Sequence, residues 1–276
     1  MHADLPGVRL WYTDTDTDTE NETAASERER TRPGKQTIVF LHANTGTSAN
    51  WEQQNKAFSA AGYRVIAFDR RGWGQSFAIP DTGSQPGSVA GDLQALVEHL
   101  QLDKFHLVGV AGGGFIALDY AAWKQEHLLS LAIGASTGAI TDPAETRFRE
   151  RILLPDFRAM PAHYRELGAS YLGENPEGVK QWIAIEHAAR QADAPAQPPL
   201  RSPNTYAKIA AIRTRTLLLL AGADLIAPPG LMRQWGAYLP NVQFAEVFDA
   251  GHSIAWERPE LFNRRILDFL RAVSGE

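Results

Sequence analysis

Six short, uninterrupted apolar runs, each about the length of one strand, constrain the fold of this chain more than any other feature: Thr37–Leu41 (TIVFL), residues 63–68 (YRVIAF), Phe105–Val110 (FHLVGV), 128–133 (LLSLAI), 216–220 (TLLLL) and 242–248. A strand that is apolar at every position is covered on both faces, which is the condition of a parallel sheet between two helix layers. The stretches between the runs read as helices. Residues 88–101, for example, carry Val89, Leu93, Leu96, Val97 and Leu100 at helical spacing, a stripe that packs on a core. The pattern predicts an α/β fold, a mostly parallel sheet with helices on both faces. Residues 7–12 alternate Val8, Leu10 and Tyr12 with Arg9 and Trp11, as a half-buried edge strand would.

The rhythm breaks twice. Residues 13–35 (TDTDTDTENETAASERERTRPGK in 13–35) are acidic and then basic with almost no apolar anchor, and are expected to form a solvated surface loop. Their Asp/Thr alternation lacks the central Gly and distal Glu of a calcium loop, so no metal is expected there. Residues 141–206 hold no convincing strand, and Pro155, Pro161, Pro176 and Pro195 divide them into helical pieces. They are expected to form a helical cap inserted between the two parts of the core, 1–140 and 207–276. The Pro- and Ala-rich stretch 191–203 is expected to return the chain to the sheet as an extended linker.

Composition excludes some chemistries. Among 276 residues there is no Cys, so disulfides, thiolate catalysis and Cys-ligated metal sites are ruled out. The net charge of −5 argues against a nucleic-acid or anionic-membrane surface. Residues 1–12 lack a basic segment followed by an apolar run, and no apolar stretch of about 18 residues occurs, so a cytoplasmic location with no membrane association is expected.

The most informative turn follows FHLVGV, where Gly109-Val110-Ala111-Gly112-Gly113-Gly114 leads into the helical FIALDYAAW. A dinucleotide site would need Gly-x-Gly-x-x-Gly near the first strand and an acid about 20 residues on; position and spacing are both wrong. The alternative is a nucleophile elbow, in which small residues two before and two after the central position allow a strained turn. Gly109 and Gly113 occupy those places.

Other motifs agree in order. One apolar run leads into His42-Ala43-Asn44-Thr45-Gly46, the next ends in Asp69-Arg70-Arg71-Gly72-Trp73-Gly74-Gln75-Ser76, LLLLAGADLIAPP carries Asp224, and DAGHSIAWERPELFNRRILDFL carries His252. With these motifs the chain resembles the α/β-hydrolase family over nearly its whole length outside the acidic loop. The resemblance implies an oxyanion loop at 42–46, with Ala for the family's first Gly, Asp224 as triad acid and His252 as base. It implies oxyanion donors at Asn44 and Gly112, a structural rather than catalytic Asp69, and no cofactor. The run His252-Ser253-Ile254-Ala255-Trp256-Glu257 resembles that of the carbon–carbon-bond hydrolases of this fold, although their Gly-x-Gly-Pro-Gly loop is missing. Dehalogenases and epoxide hydrolases of the fold use Asp at the elbow, commonly followed by Trp, and Gly112 argues against both.

The elbow position itself is Ala111, which has no nucleophile, so no acyl-enzyme can form on it. Two origins stand side by side: an engineered exchange of Ser for Ala that would trap bound substrate, and a native branch without the nucleophile. The first implies a hydrolase of a small ester, lactone or diketone. The second implies a His/Asp-dependent lyase, hydratase or cofactor-independent oxygenase, and a non-catalytic ligand-binding module is a third class. In each case the partner is a small molecule, and a homodimer is left open. Phe157, Met160, His163, Tyr164, Trp182 and His187 are cap candidates for binding it, together with Trp256. Substrate is expected between the Ala111 turn and residues 157–182, touching at least one of Phe157, Tyr164 and Trp182.

Overall fold

The computed structural model describes residues 1–16, 35–194 and 198–275. Most of the expected acidic loop, 17–34, and residues 195–197 of the expected linker, Pro195 included, lie outside the described residues. The strands are β1 (His2–Leu5), β2 (Val8–Asp14), β3 (Thr37–Leu41), β4 (Arg64–Phe68), β5 (Phe77–Ala78), β6 (Phe105–Val110), β7 (Leu128–Gly134), β8 (Thr216–Ala221) and β9 (Val242–Val247). The helices of the core are α1 (Glu52–Ala60), α2 (Val89–His99), α3 (Gly112–Lys124), α9 (Pro229–Gly236), α10 (Ile254–Glu257) and α11 (Pro259–Ser274). Between β7 and β8 lie α4 (Pro143–Ile152), α5 (Ala162–Glu166), α6 (Ala169–Glu174), α7 (Pro176–Ala189) and α8 (Tyr206–Ala210).

The sheet runs β1-β2-β4-β3-β6-β7-β8-β9, with β5 on β2, and is parallel from β4 to β9. Every residue of β3, β6 and β8 is buried, which is why those runs contain no polar alternation. The alternation of β2 is also real, but β1 and β4 flank it, so it is an inner strand and β1 forms the edge. A strand of four residues leaves too little periodicity to be read in advance. Two cores sandwich the sheet. On one face α2, α3 and α9 pack through Leu93, Leu96, Ile116, Leu118, Met232 and Trp235. On the other, α1 and α11 pack through Phe58, Phe262, Ile266, Phe269 and Leu270, the last four at the i, i+4, i+7 and i+8 spacing of one helix face.

Chain order places the site. From β3 the chain moves outward to β4, then crosses back to β6 on the other side of β3. The loops leaving β3 and β6 therefore diverge, and the crevice between them at the carboxyl ends is where ligands bind in such sheets. Residues 42–46 and the Ala111 turn are those two loops. No helix among the described residues is long and apolar enough to cross a membrane.

Close packing at the turn from β6 to α3 depends on glycine. A Cβ on Gly113 would lie 2.2 Å from the Leu41 carbonyl oxygen of β3, and one on Gly109 would lie 2.6 Å from that of Gly113. Backbone cannot yield there as a flexible side chain would. Gly113→Ala is expected to lower stability by about 1–3 kcal/mol, the usual cost of overpacking, measured by urea unfolding. An unchanged midpoint would show that α3 does not sit this close to β3.

Candidate active site

Ala111 joins β6 to α3 with φ 49° and ψ −116°, a left-handed conformation that disfavours any residue with a Cβ. It is held by its N–H on Gly134 O (3.0 Å) and by the Ser136 hydroxyl on its carbonyl (2.8 Å). The elbow is thus built in full around a methyl group. Gly112 opens α3, so its N–H is one of the first-turn donors the helix cannot use itself, at the positive end of the helix dipole.

The loop after β3 is fixed by buried polar groups. His42 accepts the Arg70 N–H on Nε2 (3.0 Å), so its Nδ1 carries the hydrogen and meets Ala43 O at 2.7 Å. Burial, reinforced by the Arg70 charge, holds its pKa well below the ordinary value. Arg70 is fully buried and donates from Nη2 to Ala43 O and to Asn44 Oδ1, each at 3.0 Å. Its Nε and Nη1 have no partner among the described residues. Burial first, and then the positive charge of Arg190, bring its pKa down to about 9. Trp73 lies between the two guanidinium groups, 4.3 Å from Arg70 and 4.2 Å from Arg190, and donates from Nε1 to Asn44 O at 2.8 Å.

Asn44 consequently has both oxygens occupied, while its Nδ2 and main-chain N–H have no partner among the described residues. A Cβ at 112 would fall 2.3 Å from Asn44 Oδ1. The Asn44 side chain lies over Gly112, and the two expected oxyanion donors are neighbours in space.

Asp224 follows β8 and His252 follows β9. His252 Nδ1 donates to Asp224 Oδ2 at 2.8 Å, and Asp224 Oδ1 accepts from the N–H groups of Ile226 (2.7 Å) and Ala227 (2.9 Å). His252 Nε2 has no hydrogen-bond partner among the described residues. Burial acts to lower the His252 pKa, but the charge and hydrogen bond of Asp224, with the carboxylates of Glu166 and Glu257, outweigh it and raise the pKa above 6.5.

The model of the alpha/beta hydrolase family matches residues 38–265. The chain belongs to that family. Its relatives include the 2-hydroxy-6-oxononadienedioate/2-hydroxy-6-oxononatrienedioate hydrolase of Paraburkholderia phymatum, 29% identical, with 87% of this chain and 88% of the relative covered. A Pseudomonas putida hydrolase of the same name is 26% identical over 86% of this chain and 88% of its own length. The enol-lactonase of Burkholderia xenovorans shares the fold with a TM-score of 0.75 at 20% identity, covering 98% of this chain and 99% of the other. A thermophilic esterase of Thermogutta terrifontis does so with a TM-score of 0.74 at 23% identity, covering 99% of each.

In this hydrolase-family chain the expected cap residues separate. Trp182 and Trp256 line one cavity together with His252, Thr45, Trp51 and Val110. Trp182 also donates from Nε1 to Ser253 Oγ at 3.0 Å. Phe157 is buried along a different depression, with Arg149, Arg158, Arg165 and Ile226. Tyr164 is 51% exposed, packs on His163 at 4.2 Å between ring centroids, and is in the lining of neither of these two cavities. Arg70, Trp51, Thr45 and Glu166 were not singled out from the sequence. Arg70 and Thr45 occupy variable places in their loop motifs, and nothing local marks Trp51 or Glu166. Among the described residues no group of three or more His, Asp or Glu is placed to hold a metal ion.

A raised histidine pKa means that the folded state favours the imidazolium. The stabilisation is complete below pH 6.5 and is lost as pH rises through the folded-state value. In Asp224→Asn the burial remains without its main counter-charge, so the His252 pKa is expected below 6.5 by NMR titration, against a value above 6.5 in the wild type. The wild type should exceed the variant in stability by more at about pH 5.5 than at about pH 8.5. A wild-type value below 6.5 would contradict the charge balance described.

Proposed function

We propose that this chain hydrolyses a small carbonyl compound, an ester, a lactone or a diketone, by direct attack of water that His252 deprotonates. The observation that carries the reading is an imidazole oriented by a buried carboxylate, with Nε2 unoccupied, beside an elbow that offers no nucleophile. Asp224 sets the tautomer and supports the imidazolium that forms. Gly112 N–H and Asn44, through its main-chain N–H or Nδ2, are the donors for the oxyanion, and the nearby Arg70 cation favours negative charge there. Trp182 and Trp256 supply the apolar wall that binds substrate. The hydrolase names of the relatives support carbonyl hydrolysis as the reaction class.

A second reading, in which Ala111 stands in place of an original Ser, is favoured by the strain at the elbow. The left-handed backbone costs roughly 1–2 kcal/mol for a residue with a Cβ and brings Ala no chemistry.

On p-nitrophenyl acetate the wild type is expected to release product in one phase, and His252→Ala to lose about 10²–10⁴-fold in rate, as for removal of a general base. Ala111→Ser places a hydroxyl next to His252 and is expected to add a burst of p-nitrophenol from an acyl-enzyme. A His252→Ala variant at wild-type rate would overturn direct water attack. A missing burst in the Ser variant would show that the elbow and His252 are out of register.

Loss of the apolar wall has its own signature. Trp182→Ala is expected to weaken binding of a substrate analogue by about 1–3 kcal/mol, read by calorimetric titration, whereas Tyr164→Ala leaves it unaltered. Equal effects of the two would place the binding site elsewhere.

A further inference from the structure

Glu166 ends α5 in the cap, yet its contacts belong to the site. Its Oε2 accepts the Thr45 hydroxyl at 2.8 Å, and Thr45 lies in the loop after β3 and lines the cavity shared with His252. Its main-chain oxygen accepts the N–H of Ser253, the residue after His252, at 3.0 Å. Two bonds from opposite sides therefore hold this residue between the oxyanion loop and the histidine segment. It is buried, forms no ion pair among the described residues, and its Oε1 has no hydrogen-bond partner there.

A tether between cap and core needs no charge. An amide would accept the Thr45 hydroxyl as well, without the cost of burying an ionisable group that lacks a counter-ion. Burial makes the carboxyl hold its proton more firmly than usual, while the His252 charge, the Thr45 bond and Arg165 act the other way and Asp224 adds to the rise. His252, which lines the cavity, and Glu166, which accepts a hydrogen bond from Thr45 of the same lining, thus form a pair of titratable groups whose environments suit one for accepting a proton and the other for donating one.

We propose that Glu166 is the general acid of the reaction, delivering a proton from Oε1 to the departing oxygen. The assignment rests on the water-attack reading above. For ethyl acetate, His252 Nε2 takes a proton from water as the water oxygen bonds to the carbonyl carbon, and the carbonyl electron pair moves onto its oxygen. Collapse of that tetrahedral species breaks the bond to the ethoxy group, whose oxygen takes the Glu166 proton. The imidazolium then returns its proton to the Glu166 carboxylate through solvent, and one water and one ester have become acetic acid and ethanol. In an elbow with a serine, one imidazole serves nucleophile and leaving group in successive steps. Without one, a second group, held next to the cavity by Thr45, divides the two tasks.

The test compares two esters of one acid. A p-nitrophenolate departs without help, whereas an ethoxide needs protonation. In Glu166→Gln the loss of kcat on ethyl acetate is expected to exceed the loss on p-nitrophenyl acetate by at least about tenfold, within the range for general acid catalysis. Glu166→Asp should recover part of the ethyl acetate rate. Equal losses on the two esters, with a lowered melting temperature, would overturn the proposal and leave Glu166 a cap tether. Glu166→Asp covers the event that the Gln variant fails to fold: a wild-type ratio of the two rates in that shortened variant, combined with lower activity on both, would also overturn it. Failure of the underlying reading is separately visible, because it appears as His252→Ala retaining activity on both esters.

Discussion

The Asp224 carboxylate fixes the rest of the candidate site. Its Oδ1 is taken by two backbone N–H groups of its own turn and its Oδ2 by His252, so it cannot rotate, and the imidazole must present Nε2 away from it. Charge-assisted bonds of this kind contribute about 1.5–3 kcal/mol each, enough to hold one orientation against the alternatives. The sheet makes the encounter possible. β8 and β9 are parallel neighbours, with Ala221 paired to Val247, so the loops carrying Asp224 and His252 leave the same end side by side. The loops after β3 and β6, which carry Asn44 and Gly112, leave that same end at the crossover.

The expected cap, residues 141–206, is bonded to the histidine segment at several points. Glu257 Oε2 accepts from Gly168 N in the cap and from Gly251 N beside His252, both at 2.9 Å, so one buried carboxyl joins the two. Leu167, Tyr171 and Trp182 form a small apolar cluster of the cap, with Trp256 from α10 packed against it. A core of that size does not sustain a separate folding unit. The cavity lined by Trp182 and Trp256 and the position of the His252 segment therefore depend on the same docking.

Much of this was legible in the sequence. Strands buried on both faces lose their polar alternation, which made β3, β6 and β8 recognisable, and the glycines around Ala111 announced a turn that no larger residue tolerates. What stayed hidden depends on contacts across the chain. Alternation in β2 shows one apolar face but not that a further strand covers its edge. Gly112 reads as part of a glycine run, whereas the structure gives it a particular reason, the Asn44 side chain resting on it. Tyr164 and Trp182 were equivalent as cap aromatics because helical spacing in short, proline-divided helices does not say which face meets the core. Glu166 carried no local signal at all, since its partners Thr45 and Ser253 are distant in sequence.

Direct activation of water by an oriented imidazole, at a site whose elbow offers no nucleophile, distinguishes this proposed mechanism from one through an acyl-enzyme. The most direct measurement is the intact mass of the protein, acid-quenched while it turns over p-nitrophenyl acetate. Direct attack of water predicts that product accumulates while the protein keeps its unmodified mass at every time point. An acetylated species that forms and decays at the turnover rate would contradict it, because a covalent intermediate would then have to reside on some other side chain.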